Sequence, residues 1–158
     1  MSAGRAMPAA RAGRILVVED SPSARRLLQD VLLRLGAELP NLRMTGTILE
    51  ALTTFTDWRP QLVFVDVELG HAPAATPATA PSSRSAPDPV DGAELALLIL
   101  SRNPTVRVVI CSASDPSDRR VAGLVREGRV EFITKPLLAS RVEEVLARVV
   151  PAAAGHPA

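Results

Sequence analysis

Five short apolar runs, each closing on polar or charged residues and each followed by a helical pattern, restrict this chain more than any other feature. The runs are "RILVVED" (Arg14–Asp20), "LRMTGT" (Leu42–Thr47), "QLVFVDVEL" (Gln61–Leu69), "VRVVICSAS" (Val106–Ser114) and "VEFITKP" (Val130–Pro136). Continuous Val/Ile/Leu runs of this length suit strands covered on both faces, whereas the mixed second run suits a sheet edge. Between them, Ala24, Leu27, Leu28, Val31, Leu32 and Leu35 recur at helical spacing behind Ser21 and Pro22, with Gly36 as the stop. Ile48, Ala51, Leu52 and Phe55 mark a second helix closed by "DWRP", and "DGAELALLILSRNP" a third. A shorter helix around Asp118–Glu127 is weakened by Gly123, and Val142, Val145, Leu146 and Val149 mark the last. Strictly alternating strands and helices predict an α/β fold with a doubly wound parallel sheet.

Composition agrees and excludes several functions. Hydrophobic residues are 47% of the 158-residue chain and aromatics 3%, so the core is aliphatic and one domain is expected. A net charge of +1 with arginines spread along the sequence indicates no nucleic-acid partner. The single Cys111 can form no internal disulfide, and no apolar stretch has membrane-spanning length. A cytoplasmic protein without a membrane partner is the expectation. Residues 1–13 read as a disordered lead, 14–150 as the domain and 151–158 as a flexible tail. An Ala/Pro/Ser/Thr-rich insert at about 70–89 cannot bury enough apolar surface to offset its ordering entropy and is expected to be a mobile loop. The third helix is apolar nearly all round, with Leu95, Leu98 and Ile99 on one face and Ala93, Ala96, Leu97 and Leu100 on the other.

In a parallel sheet, ligands bind beyond the carboxyl ends of the strands. That leaves Glu19 and Asp20 after the first run, Asp66 in the third, Ser112 closing the fourth and Lys135 closing the fifth. Singly, each has an ordinary role: first-turn acids, a turn-forming aspartate, a strand-end hydroxyl, a solvated charge. Together, three clustered acids repel one another unless a cation lies among them. Mg²⁺ fits, since it needs one or two carboxylates and a phosphate oxygen. The group reads as a phosphoryl acceptor, with Asp66 attacking phosphorus while Mg²⁺ and Lys135 neutralise the transferring group and Ser112 hydrogen-bonds it. Lys135 is the only lysine in a chain whose other basic residues are all arginine.

These residues resemble the receiver domain of two-component response regulators. "ILVVEDSPSARRLL" is similar to the family's first strand and helix, "LVFVDVEL" to its acceptor strand, "VVICSAS" to its switch strand and "EFITKP" to its lysine-proline strand. The resemblance implies a flavodoxin-like (βα)5 sheet of order 2-1-3-4-5. It implies that Asp66 is the phosphoacceptor, Ser112 the switch hydroxyl, Phe132 the aromatic switch and Lys135 the phosphate-sensing cation, with the Lys135–Pro136 bond cis. Metal binding would fall to Glu19, Asp20, Asp66 and the backbone carbonyl of Glu68. The implied function is a stand-alone, Mg²⁺-dependent phosphoacceptor, not an enzyme. Its phosphoryl donor would be a histidine kinase or phosphotransfer protein. Its output would run to a protein target or a second copy through the fourth helix, fifth strand and fifth helix. A non-phosphorylated interaction module and a small phosphohydrolase using Asp66 are the alternatives. Gly70 stands where the family has proline, Ser112 where threonine is commoner, and the best Asp-Gly pair, Asp91 and Gly92, comes late.

Overall fold

The computed structural model describes residues 7–69, 91–113 and 119–150. Five strands are present: β1 (Ile15–Val18), β2 (Leu42–Thr45), β3 (Leu62–Asp66), β4 (Arg107–Ser112) and β5 (Val130–Thr134). They alternate with α1 (Pro22–Arg34), α2 (Ile48–Trp58), α3 (Gly92–Arg102), α4 (Arg119–Arg126) and α5 (Ala139–Val149). All neighbouring pairs are parallel and the sheet order is β2-β1-β3-β4-β5, the flavodoxin-like order that the family resemblance implies. β2 is the mixed, edge strand, with Arg43 exposed and Met44 half-buried.

Two apolar layers hold the sheet, and the pleat sorts each strand between them. Ile15, Val17, Leu62, Phe64, Val109 and Ile133 face α1 and α5. Leu16, Val18, Val63, Val65, Val108 and Ile110 face α2, α3 and α4. Because both faces are covered, β3 is buried at all five positions, which explains its unbroken apolar sequence.

Helix ends follow the local chemistry of the sequence. Ser21 caps α1 by accepting the Ala24 N–H at 3.4 Å, Thr47 caps α2 by accepting that of Glu50 at 3.2 Å, and Asp91 caps α3 by accepting that of Glu94 at 2.9 Å. Gly36 takes the left-handed conformation after α1 at φ 96°, and Arg59 does so after α2 at φ 51°.

Two expectations need correction. Within the lead expected to be disordered, Pro8–Arg11 forms a 3₁₀ turn whose Ala9 is fully buried and donates its N–H to the Leu35 carbonyl at 3.0 Å. A small side chain here fits the gap beside the end of α1, a contact no local pattern announces. The faces of α3 are also drawn differently: Ala93, Leu95, Ala96, Ile99 and Leu100 are buried, whereas Leu97 and Leu98 are half-buried. The burial follows i, i+3, i+4, i+7, so Leu98 leaves the sheet face and Ala93, Ala96 and Leu100 join it. The insert expected at about 70–89 and the tail expected at 151–158 lie outside the described residues.

Candidate functional site

The carboxyl ends of β1, β3, β4 and β5 converge. β1 is followed at once by Glu19, whose N–H donates to the Thr45 carbonyl at 3.0 Å, so the residue leaves the sheet still hydrogen-bonded to β2. Asp66 is the last residue of β3, and pairing continues one step beyond it, where Val67 N–H donates to the Cys111 carbonyl at 2.9 Å. Ser112 closes β4 opposite Thr134, and its carbonyl accepts the Lys135 N–H at 2.7 Å. That bond fixes the backbone of Lys135 beside the end of the fourth strand, and the Lys135–Pro136 peptide is cis.

Lys135 reaches back across the strand ends. Its Nζ lies 2.8 Å from Glu19 Oε2 and 3.1 Å from Asp66 Oδ2. Both carboxylates are deeply buried, at 4% and 3% relative exposure, while Asp20 beside them is exposed. Glu19 Oε1 accepts the Ser21 N–H at 3.0 Å, and Asp66 Oδ1 accepts the Glu68 N–H at 3.0 Å. Each buried carboxylate therefore divides its oxygens between a backbone donor and the ammonium.

The electrostatics follow from burial. Desolvation raises the Glu19 carboxyl above its ordinary range and the Asp66 charge adds to the rise, against the pull of Lys135 and the Ser21 amide. Burial works against the Lys135 ammonium, but its bonds to Glu19 and Asp66 outweigh that and raise its pKa. Cys111, one step before Ser112, has its thiol pushed up by burial.

Glu19, Asp20 and Asp66 each offer one carboxylate oxygen, all within 4.8 Å of one another. An all-oxygen set with two buried carboxylates is the donor chemistry a hard divalent cation takes. The set fits Mg²⁺.

No family model matches the chain. Chemotaxis protein CheY of Thermotoga maritima is 26% identical over 136 residues, 86% of this chain and 96% of that protein. The crystallised receiver domain of NtrX from Brucella abortus is 29% identical, with a TM-score of 0.66 over 88% of this chain and 99% of that one. These similarities in sequence and fold support a CheY-like receiver domain. Longer relatives contain a receiver as one part, and this chain spans 27% of a longer NtrX structure.

Within this fold, the late Asp-Gly pair finds its place in space. Gly92 opens α3 directly against the turn that follows Asp66, and a Cβ there would fall on the Asp66 carbonyl oxygen. Only glycine allows this approach. Phe132 lies half-buried on β5, in register with Ile110 and packed on the α2, α3 and α4 side. Ser112 is buried at the strand end.

Three contacts escape sequence reasoning, two of them because they join residues far apart in the chain. Arg25 Nη1 donates to the Glu19 carbonyl at 3.0 Å, and a Cβ on Gly46 would fall on that guanidinium. The Glu68 side chain accepts the Ala113 N–H at 3.3 Å through Oε1. Arg120 on α4 bridges Asp91 and Glu94. The one available signal is the Asp-Gly pair, which marks where α3 meets Asp66.

Proposed function

We propose that this receiver is a Mg²⁺-dependent phosphoacceptor switch that takes a phosphoryl group onto Asp66. The observation that carries the reading is the contact of one ammonium, Lys135, with two buried carboxylates, Glu19 and Asp66, beside Asp20. An Asp66 oxygen attacks phosphorus in line, the phosphorus–nitrogen bond of a phosphohistidine donor breaks, and the imidazole keeps the electron pair. The product is an aspartyl phosphate. Backbone bonds on Asp66 and its position at a rigid strand end hold the nucleophile, and positioning contributes much of the rate in phosphoryl transfer.

Glu19, Asp20, Asp66 and the Glu68 carbonyl would hold Mg²⁺, which supplies charge neutralisation when bound. Lys135 swings its charge from the carboxylates to the phosphoryl oxygens. The buried Ser112 hydroxyl donates to one of those oxygens, and Phe132 repacks on the α4–β5–α5 surface. Output then runs by protein contact through that surface, to a target or a second copy, in the cytoplasm. The donor is a histidine kinase or phosphotransfer protein, and the chain works as a signalling domain and not as a turnover enzyme.

Intact-protein mass after incubation with acetyl phosphate tests this, with and without Mg²⁺ and alongside Asp66→Asn. The expected result is a Mg²⁺-dependent gain of one phosphoryl group that the variant lacks. No gain in a folded protein, with no beryllofluoride binding, would replace the switch by a non-phosphorylated interaction module. Sustained phosphate release from a phosphomonoester would replace it by a hydrolase.

A further inference from the structure

We infer that Arg120 is a positioning residue for the acceptor turn, acting from α4 through the first residues of α3. The inference rests on Asp66 being the acceptor. In sequence, residues 70–90 separate Leu69, where the turn after Asp66 ends, from Asp91, where α3 begins. In space the two ends meet. Gly92 abuts the Asp66 and Val67 backbone, and Leu69 is fully buried with its N–H donating to the Asp66 carbonyl at 3.3 Å. The buried face of α3 holds the helix on the sheet, and contacts of Asp91 and Gly92 set how its first turn meets β3.

Arg120 has the geometry to do so. Its Nη2 lies 2.9 Å from Asp91 Oδ2 and its Nη1 3.2 Å from Glu94 Oε1, so the two arms of the guanidinium fork grip two carboxylates one turn apart. The other Asp91 oxygen accepts the Glu94 N–H at 2.9 Å and caps the helix. Asp91 is thereby held from both sides, and Gly92 follows it directly. The chain of contact is Arg120 to Asp91, Asp91 to Gly92, and Gly92 to the Asp66 backbone, whose carbonyl and carboxylate receive the Leu69 and Glu68 amides. Arg120 touches no reacting atom. It holds the strand-end turn that presents one.

A surface ion pair with no further role would move thermal stability slightly and nothing else. The test is therefore Arg120→Ala and Arg120→Lys in the full chain, read by amide hydrogen exchange and by acetyl phosphate kinetics with Mg²⁺. Arg120→Ala is expected to speed exchange at the Glu68 and Leu69 amides about tenfold while the strand amides of β1 and β4 keep wild-type rates. It is expected to lower the maximal phosphorylation rate about fivefold, with the acetyl phosphate concentration dependence unchanged. Arg120→Lys keeps the charge but cannot span both acids, and falls between. Wild-type exchange at Glu68 and Leu69 in Arg120→Ala overturns the inference, as does acceleration spread evenly over the whole chain. Failure of the wild type to accept a phosphoryl group would overturn the reading of Asp66, and exchange at the two amides would still decide the role of Arg120.

Discussion

At the scale of single residues, the energetics of the site rest on one cation shared by two buried anions. Replacing Lys135 by Met leaves Glu19 and Asp66 facing each other without a counter-charge, and is expected to cost roughly 3 kcal/mol in the absence of divalent ions. Added Mg²⁺ should recover much of that loss, and urea unfolding with and without MgCl₂ measures both quantities. Alkaline pH is the second lever. The Cys111 thiol ionises near 9.0 when unfolded, and burial pushes it far higher in the fold. The native state therefore keeps a proton that the unfolded state releases, so this contribution is complete below pH 9.0 and declines as pH rises. The decline should approach about 1.4 kcal/mol per pH unit, and Cys111→Val should remove it. Lys135, raised above 10.5, adds a loss of the same sign that begins beyond that value.

At the scale of elements, the glycines divide by what surrounds them. Gly92→Ala drives a methyl group into the Asp66 carbonyl, a backbone atom that cannot swing aside, and is expected to destabilise by roughly 2 kcal/mol. Gly123, inside α4, has no heavy atom within 4 Å of an added Cβ, so Gly123→Ala is expected to stabilise by about 0.5–1 kcal/mol. Thermal melts of the two variants check opposite signs at two helical glycines. The elements themselves were the most legible part of the sequence. Strand runs such as "ILVV" and "LVFV", the Ser21-Pro22 start and the Gly36 stop are local signals with local causes, and the acids, hydroxyl and lysine at strand ends follow from them. What stayed hidden depends on distance: Arg120 meets Asp91 across a separation of 29 residues, and Ala9 docks beside Leu35 through a fit of shape. The face of α3 was misdrawn because a helix apolar all round carries no periodic signal to read.

At the scale of the whole molecule, charge that looks scattered along the sequence is sorted by the fold. Every helix runs opposite to the strands, so Arg34, Arg102, Arg126 and Arg148 in last turns and Arg59 after α2 gather at the edge where the strands begin. Cations there complement the negative ends of the helix dipoles, and Glu19, Asp20 and Asp66 collect at the opposite edge. The composition of 70–89 has a consequence at this scale too. An Ala/Pro/Ser/Thr-rich sequence can bury little apolar surface, so replacing residues 70–90 by a linker of about five residues is expected to raise stability by about 1 kcal/mol through closure entropy. Denaturant melts of the shortened chain check this, and a loss of stability would show that the segment makes contacts of its own.

The solitary lysine carries a practical corollary. Apart from the N-terminus, Lys135 is the chain's only amine, and it is held between Glu19 and Asp66. Acylating reagents attack the neutral amine, so this contact protects it. A divalent cation that engaged the same carboxylates would compete for them, and acylation of Lys135 is then expected to quicken. The cleft thus comes with its own chemical tag: the speed of lysine acetylation with and without MgCl₂, followed by peptide mass, tests for ion occupancy without any engineered label.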